Sequence, residues 1–592
     1  MDQSSSTIGS VPLDDSVDSD QLIVSPNLRA SWVNDHYTQV IIDGKKVRQC
    51  SRDGCARIYA LSSSHITLKK HWREEHEQES AMKKTRFQFS DDLHTNRLVK
   101  MVIDLKLNYT LVEQSSFLKF VESLNPTRKI ICRRTLSNII LMKLDVLAFQ
   151  VTEKLSRADT LALTFDIWSP RRGERSFGCV TAHYLDHDGC SVNLVLNFKR
   201  MKHPHDGDTI SRFLYKTISR HQLEGRIVAI TTDNASNNIN AIKKLENMAQ
   251  LSPLPQGFVH YRCVAHIIDL AVRAGMKCLK STLEPVRAAI LGVRSSGRRR
   301  ETFIGIQKKL IEDLDQRTDG PLELIEDVDH RWSSCFLMLE RAHLLSTAID
   351  DILNTDPKMS SIGNINWPTL ELLIAFLKPF YDATQRLCVE KDCNISSVSF
   401  VTPKLIDHCF RHQESPVEVI RDVARALGSK LNTYRTEIYH PLVNIAYVLD
   451  PRYKTKGFSD DERRLVIGEL RTILEATSDL EVRTRSSQPA TIFCDDSDNE
   501  AETFDELDSY LRLRREHSKT NVYNYWRLAS SQMPRLTRIA SKVLCIQATS
   551  VSSERLFSQA AFVDTVTRNR LLDESVENNI LAHSWMKFLD LE

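Results

Sequence analysis

The sequence predicts a multidomain α+β protein, in which a small metal-ligating finger precedes a mixed α/β sheet interrupted and followed by long helical regions. Three observations predict it. Cys50, Cys55, His71 and His76 fall in a C-x4-C…H-x4-H pattern. Five short runs rich in β-branched and aromatic residues lie between about 160 and 265. From about Met276 to Arg485 the apolar periodicity is almost wholly helical.

The totals fit this. The chain has 592 residues, 41% hydrophobic and 26% charged, which exceeds one core and points to several domains. A formal charge of +2 supplies no global basic field, so any nucleic-acid contact comes from local patches. Thirteen scattered cysteines suit a reducing compartment better than a disulfide framework. The start, "MDQSSSTIGSVPLDDSVDSDQ", lacks the basic-then-apolar order of a secretory signal, and no uninterrupted apolar run spans a bilayer. A nuclear or cytosolic protein is expected.

Taken in order, residues 1–27 read as disordered and 28–80 as the finger. Two thiolates on a turn and two imidazoles one helical turn apart close a tetrahedron around Zn2+. Leu68 packs beneath that helix, while Lys69, Lys70 and Arg73 point outward, where a finger helix meets DNA phosphates. Residues 85–159 read as a helical N-terminal, dimerisation region, broken near Asn108. The sheet occupies 160–275. "TLALTFDIW", "SFGCVTAHYLD" and "SVNLVLNFKRM" form a meander. "RIVAIT" and "GFVHYRC" follow, separated by helices. Residues 276–485 form the helical stretch, 486–502 an acidic, serine-rich linker, and 503–592 a helical end.

Asp166 ends the first proposed sheet strand and Asp233 the fourth. If those strands are neighbours, two carboxylates lie side by side and call for a divalent cation between them. Glu554, opening the helix of "SVSSERLFSQAA", offers a third acid, and three acids suit a two-metal site. The bland readings stay open: Asp233 as a helix N-cap, Asp166 as a solvated loop acid, Glu554 as a first-turn residue.

"TFDIWSP", "ITTDNASNN", "RCVAHIIDL", "DVDHRWSS" and "SSERLFSQAA…RNRL" occur in the order of the blocks of hAT-superfamily DNA transposases, which the chain resembles over nearly its whole length. Its Cys/His segment with the preceding aromatics resembles the BED-type zinc finger, a DNA-binding module. The resemblance implies an RNase H-like sheet interrupted by a large helical insertion. It implies catalytic acids at Asp166, Asp233 and Glu554 holding Mg2+ or Mn2+, and a dimerisation region at the C-terminus. The family's Arg-Trp pair falls on Arg331 and Trp332, with the tryptophan as a stacking surface for an extruded base. Its C-x2-H falls on Cys263 and His266, for which a structural role near the site is expected. Arg298, Arg299 and Arg300, next to Arg294, have the density of a phosphate-contacting patch. The implied activity is metal-dependent cleavage of double-stranded DNA at transposon ends, hairpin formation on the flank and strand transfer, by a nuclear homo-oligomer with no membrane role. The alternative is a domesticated dimeric DNA-binding regulator, and a third reading is a nuclease of the same fold. Three positions depart from the family pattern: Gln547 for proline, Ala561 for glycine and His330 for threonine.

Overall fold

The computed structural model describes residues 33–72 with breaks at 34–35, 43–44, 53–54, 65–66 and 69, and then 93–313, 320–389, 392–485, 505–563 and 573–589. Shorter breaks fall at 128, 170–174, 187, 249–257 and 329–330. The N-terminal 1–27, the 486–502 linker, and Lys69, Arg73, His76, His330 and Leu571 lie outside the described residues. The chain divides into two compact units, Met1–Asn96 and Arg97–Glu592.

In the first unit, β1 (Tyr37–Ile42), β2 (Lys45–Cys50) and β3 (Ile58–Ala60) form an antiparallel sheet in that order. A helical turn at residues 67–72 supplies Leu68, which is completely buried against Val33, Tyr37 and Cys50. The Tyr37 hydroxyl donates to the Leu68 carbonyl at 2.8 Å, tying the first strand to that turn.

The second unit is built on a five-stranded sheet of β4 (Leu161–Trp168), β5 (Ser176–Leu185), β6 (Ser191–Met201), β7 (Ile227–Thr232) and β8 (Val259–Arg262), ordered β6-β5-β4-β7-β8. β4 to β6 form an antiparallel meander, whereas β7 and β8 add in parallel. Parallel strands need crossovers, and the sequence supplies them as α2 (Gly207–Arg220) and α3 (Ser236–Met248). The first and fourth strands are therefore neighbours, as the acid argument required. This is the mixed sheet with helical additions that the sequence predicts.

On one side of the sheet Leu161, Leu163, Phe165 and the strands beyond pack on α1 (Arg133–Ser156) and the shorter helices before it. On the other, Ala162 and Ala229 join a second core shared with the insertion and the C-terminal region. That core runs through α4 (Val264–Met276), α5 (Trp332–Leu344) and the helices from Trp367 to Leu449. Leu544 and Phe557, left open between core and subunit interface by their spacing, are buried within the chain, and Leu556 packs against the core. α6 (Val551–Val563) lies on β4, and α7 (Asp573–Phe588) runs along the edge strand β6. There the Trp585 Nε1–H donates to the Val195 carbonyl at 2.7 Å, and Glu577 accepts the Arg200 N–H at 2.7 Å. Side chains of α7 thus occupy backbone groups that an open edge would leave unpaired.

α1 resembles a membrane-spanning segment by length and composition alone. Lys143, Asp145 and Glu153 interrupt its apolar run, yet its 24 residues are long and apolar enough in composition to cross a bilayer. Its stripe of Leu136, Ile140, Leu147, Val151 and Leu155 is buried in the protein core.

Candidate active site and finger metal centre

Register brings the acids together. Thr164 of β4 pairs with Thr231 of β7, so Asp166 and Asp233, each two residues further on, emerge side by side, Asp233 just past β7 and Asp166 two residues before the end of β4 rather than at it. Asp233 stands just past β7, where its Oδ1 accepts the Ala235 N–H at 2.9 Å and a hydrogen bond from the Asn238 amide. It therefore does hold the start of α3, and at the same time it lines a pocket of about 340 Å³. Asp166, Glu554, His266, Arg331 and Ser550 line the same pocket.

Glu554 reaches this place through a polar pillar in the core. The Thr164 hydroxyl contacts Thr181, which lies 2.8 Å from His183 Nε2, and it also meets the Ser553 hydroxyl at 3.2 Å. These contacts fix α6 on β4 at the residue before Glu554. Trp168 stacks on Phe557 one turn later, with centroids 6.1 Å apart at 13°. Nothing in the local sequence pairs Ser553 with Thr164, because the contact spans 389 positions.

The electrostatics follow from the crowding of like charges. Loss of water around Asp166, and then the negative charges of Asp233 and Glu554, hold its carboxyl well above the usual range. The Glu554 side chain opens to the pocket but is hemmed by its walls. Desolvation raises its carboxyl against the pull of Arg331 and His266, with Asp269 and Asp233 adding to the rise. A divalent cation is the group that relieves such a set. Among the described residues only Cys50, Cys55 and His71 bring three ligand atoms within 4.8 Å of one another. The three acids stand wider, as mutually repelling carboxylates do. Two ions about 3.5–4 Å apart also need more room than one.

Cys263 and His266 part company. Cys263 is buried at the start of α4, and burial pushes its thiol up to about 12. A neutral thiol suits the contact it makes, accepting the Ser550 N–H at 3.4 Å. Val264 N–H donates to the Ala548 carbonyl at 2.9 Å, so the pair bolts the approach to α6 onto the sheet. His266, one turn further on, lines the pocket with the acids.

Two DNA-facing expectations meet a different geometry. Trp332 is 5% exposed and set edge-to-face on Tyr381, inside the core of the insertion, so its face is not presented to a base. Burying a large aromatic surface outweighs display unless a ligand repays it. Arg331 beside it does reach the pocket. Of the arginine patch, Arg300 forks onto Glu323 at 2.7–3.1 Å, Arg299 pairs with Asp356 at 3.5 Å and Arg294 with Glu326 at 3.6 Å. Arg298 is the member without an ion pair among the described residues, and it is exposed. The spacing could not show these acids, which lie in the segment 323–356.

In the finger, the Cys55 Sγ lies 3.6 Å from His71 Nε2. Tetrahedral zinc with Zn–S of about 2.3 Å and Zn–N of about 2.0–2.1 Å spaces such ligands by about 3.5 Å, so the group fits the ion. Burial, with Cys55 adding to it, raises the Cys50 thiol. Lys70 lies on the exposed side of the turn.

Comparison with known proteins agrees with this architecture. Residues 164–257 match the ZBED1 RNase-like domain, 261–376 the ZBED1 RNase-like helical domain, and 506–586 the hAT family C-terminal dimerisation region. An AC transposase of Zea mays is 26% identical over 620 residues, covering 93% of this chain and 75% of the relative. A transcriptional regulator, tpeD, of Talaromyces stipitatus is 26% identical, covering 84% of this chain and 62% of the relative. The zinc finger BED domain-containing protein RICESLEEPER 2 of Oryza sativa is 22% identical, covering 85% and 75%. With the sheet, the helical insertion and the C-terminal region all matched in order, these likenesses support a transposase-like protein of the hAT family.

Proposed function

We propose that this protein is a DNA transposase that holds double-stranded transposon ends through its zinc finger and cuts and joins strands at the three-acid pocket, acting in the nucleus. The observation that carries the reading is the convergence of Asp166, Asp233 and Glu554 from distant parts of the chain onto one pocket beside Arg331 and His266. Asp166 and Asp233 would hold Mg2+ or Mn2+ between adjacent strand ends, with Glu554 closing the set from α6. Bound there, divalent ions stabilise the attacking and leaving oxygens of an in-line phosphoryl displacement. Asn238 donates its amide to the Asp233 carboxylate and so limits its rotation. The Arg331 guanidinium supplies positive charge for a phosphate entering beside Glu554. In the first step water displaces the 3′ oxygen at the element boundary; in the second the freed 3′-hydroxyl attacks another phosphodiester, releasing its 3′ oxygen. Cys50, Cys55, His71 and His76 would hold the zinc that shapes the DNA-binding finger.

A second reading, a dimeric DNA-binding regulator without catalysis, is favoured by the relative named as a transcriptional regulator and by the burial of Trp332. The test is incubation of purified protein with DNA carrying candidate terminal repeats and Mn2+. Nicking that disappears in Asp233→Ala supports the transposase. Retained binding without nicking overturns it and leaves the regulator.

A further inference from the structure

The loop between β6 and α2 reaches the catalytic edge of the sheet, yet the three-acid site makes no use of it. Trp168 of β4 pairs with Phe177 of β5, and Ser176 of β5 with Met201 of β6, so β6 ends on the same side of the sheet as Asp166. It ends two strands away, about 10 Å at the usual strand spacing. The loop that follows, residues 202–206, is held beside Asp233 by α3. Asn237, in the first turn of that helix, donates its side-chain amide to the His205 carbonyl at 2.8 Å, while its neighbour Asn238 bonds the Asp233 carboxylate. Just past the loop, α2 lies so close on α3 that a Cβ at Gly207 would stand 3.0 Å from Asn240 Cβ and 3.2 Å from the Ala241 nitrogen. The loop and the acid thus share one support.

The side chains of this loop are built as a donor surface. The His205 Nε2–H donates to the Met201 carbonyl at 3.3 Å, which fixes that ring, and the His203 ring stacks on it with centroids 4.1 Å apart at 28°. With one face taken, the exposed His203 ring offers its nitrogen edge. Lys202 beside it is exposed too, and among the described residues neither makes an ion pair. The carboxylates of the same turn are committed elsewhere. Asp206 caps α2 by accepting the Thr209 N–H at 2.8 Å, and Asp208 pairs with Lys244 at 2.5 Å. We propose that Lys202 and His203 are positioning residues that grip a backbone phosphate of the DNA strand being cut, a few nucleotides from the bond held at the acids. One strand carries a phosphate for about every 3.4 Å of helix axis, so about three nucleotides cover the distance from Asp166 to the end of β6. A lysine and an imidazole edge on phosphate fix the register of a strand without reading its bases. The inference rests on the reading of the three-acid pocket as a DNA-cleaving centre.

The test uses the full chain and two DNAs, one carrying the candidate terminal repeats and one a labelled duplex of arbitrary sequence. On the first, Lys202→Gln with His203→Ala is expected to raise KM for Mn2+-dependent nicking about tenfold and leave kcat within about twofold, because the contact is made in ground and transition states alike. Lys202→Arg should keep the wild-type KM; an arginine variant as impaired as Lys202→Gln would make the role merely structural and overturn the proposal. On the second, the double variant should lower the slope of log affinity against log salt by about one. Both side chains are already in water, so the thermal midpoint should not move, and Lys202→Gln alone carries both measurements if the double variant fails to fold. An unchanged KM or an unchanged salt slope in a folded variant overturns the proposal, even where Asp233→Ala still abolishes nicking and so upholds the catalytic reading. A wild type that does not nick fells that reading instead, and the salt slope then decides on the loop by itself.

Discussion

Asp166 shows what a single residue contributes and what it costs. Its folded carboxyl titrates above the ordinary value of about 3.9. Between those two points the native state holds a proton that the unfolded chain releases, so this group's contribution falls as pH rises through the window, and above it the ion is a standing cost. Asp166→Asn should therefore raise the stability of the metal-free protein at pH 7 by about 1 kcal/mol or more while removing the gain in thermal midpoint on adding Mn2+. In the wild type that gain should grow from pH 5.5 to 8, because the ion binds the deprotonated acid; a gain independent of pH and retained in the variant would sink the assignment. Buried histidines act with the opposite sign. Desolvation pushes His183 down to about 3, and His221 and His260 to about 4. Each stays neutral in the fold, His221 between Thr152 and the Leu196 carbonyl. Their stabilisation is complete above the unfolded value of about 6.5 and is lost as pH falls toward the folded values, by about 1.4 kcal/mol per histidine for the first pH unit. Urea midpoints measured from pH 7 to 5 should show that slope, reduced by one proton's worth in His183→Phe.

At the scale of elements, β4 to β8, the crossover helices and the all-helical insertion were legible because each carries its own period: β-branched runs for strands, i/i+3/i+4 stripes for helices. Asp166 and Asp233 were legible with them, since two strand-terminal acids become neighbours once the strand order is assumed. What local pattern could not show was contact between elements set apart in the chain, by 23 positions for Arg300 and Glu323 and by 389 for Thr164 and Ser553. The Thr164–Ser553 anchor, the Glu323 partner of Arg300 and the burial of Trp332 under Tyr381 all depend on where the insertion folds back. Gln547 is the clearest instance. Read as a departure from the family's proline, it turns out to accept the Asn394 amide at 3.0 Å, while Asn394 in turn accepts the Ala548 N–H at 2.9 Å. Both side chains are 3% exposed. Gln547→Pro, the familiar residue for the family, should destabilise this chain by about 1–3 kcal/mol, because the Asn394 amide is left without its acceptor in the core. Pairing it with Asn394→Ala tests the cause: a double variant that costs as much as the sum of the two singles would exclude the coupling.

For the whole molecule, the division at Asn96 separates two kinds of stability. The large unit rests on two extensive apolar clusters that include no finger residue. The finger's core is Val33, Tyr37, Cys50 and Leu68 with a few partly buried neighbours, too little apolar area to order about 45 residues unaided. Metal coordination at such a site contributes on the order of 10 kcal/mol of apparent binding energy, which becomes folding energy when the unloaded segment is unstructured. With no Mg2+ or Mn2+ present, chelation of zinc should thus act on one unit alone. The expected calorimetric trace keeps the main transition of residues 97–592 within about 1 °C, while DNA affinity falls at least tenfold, a change of about 1.4 kcal/mol. Cys55→Ser should reproduce the loss without chelator, and metal analysis of a 28–80 fragment should give one zinc per chain. A main transition that drops with the chelator would tie the finger to the larger unit, and full DNA affinity after zinc removal would move DNA recognition to the larger unit, with Arg298 and Arg331 as its first candidates.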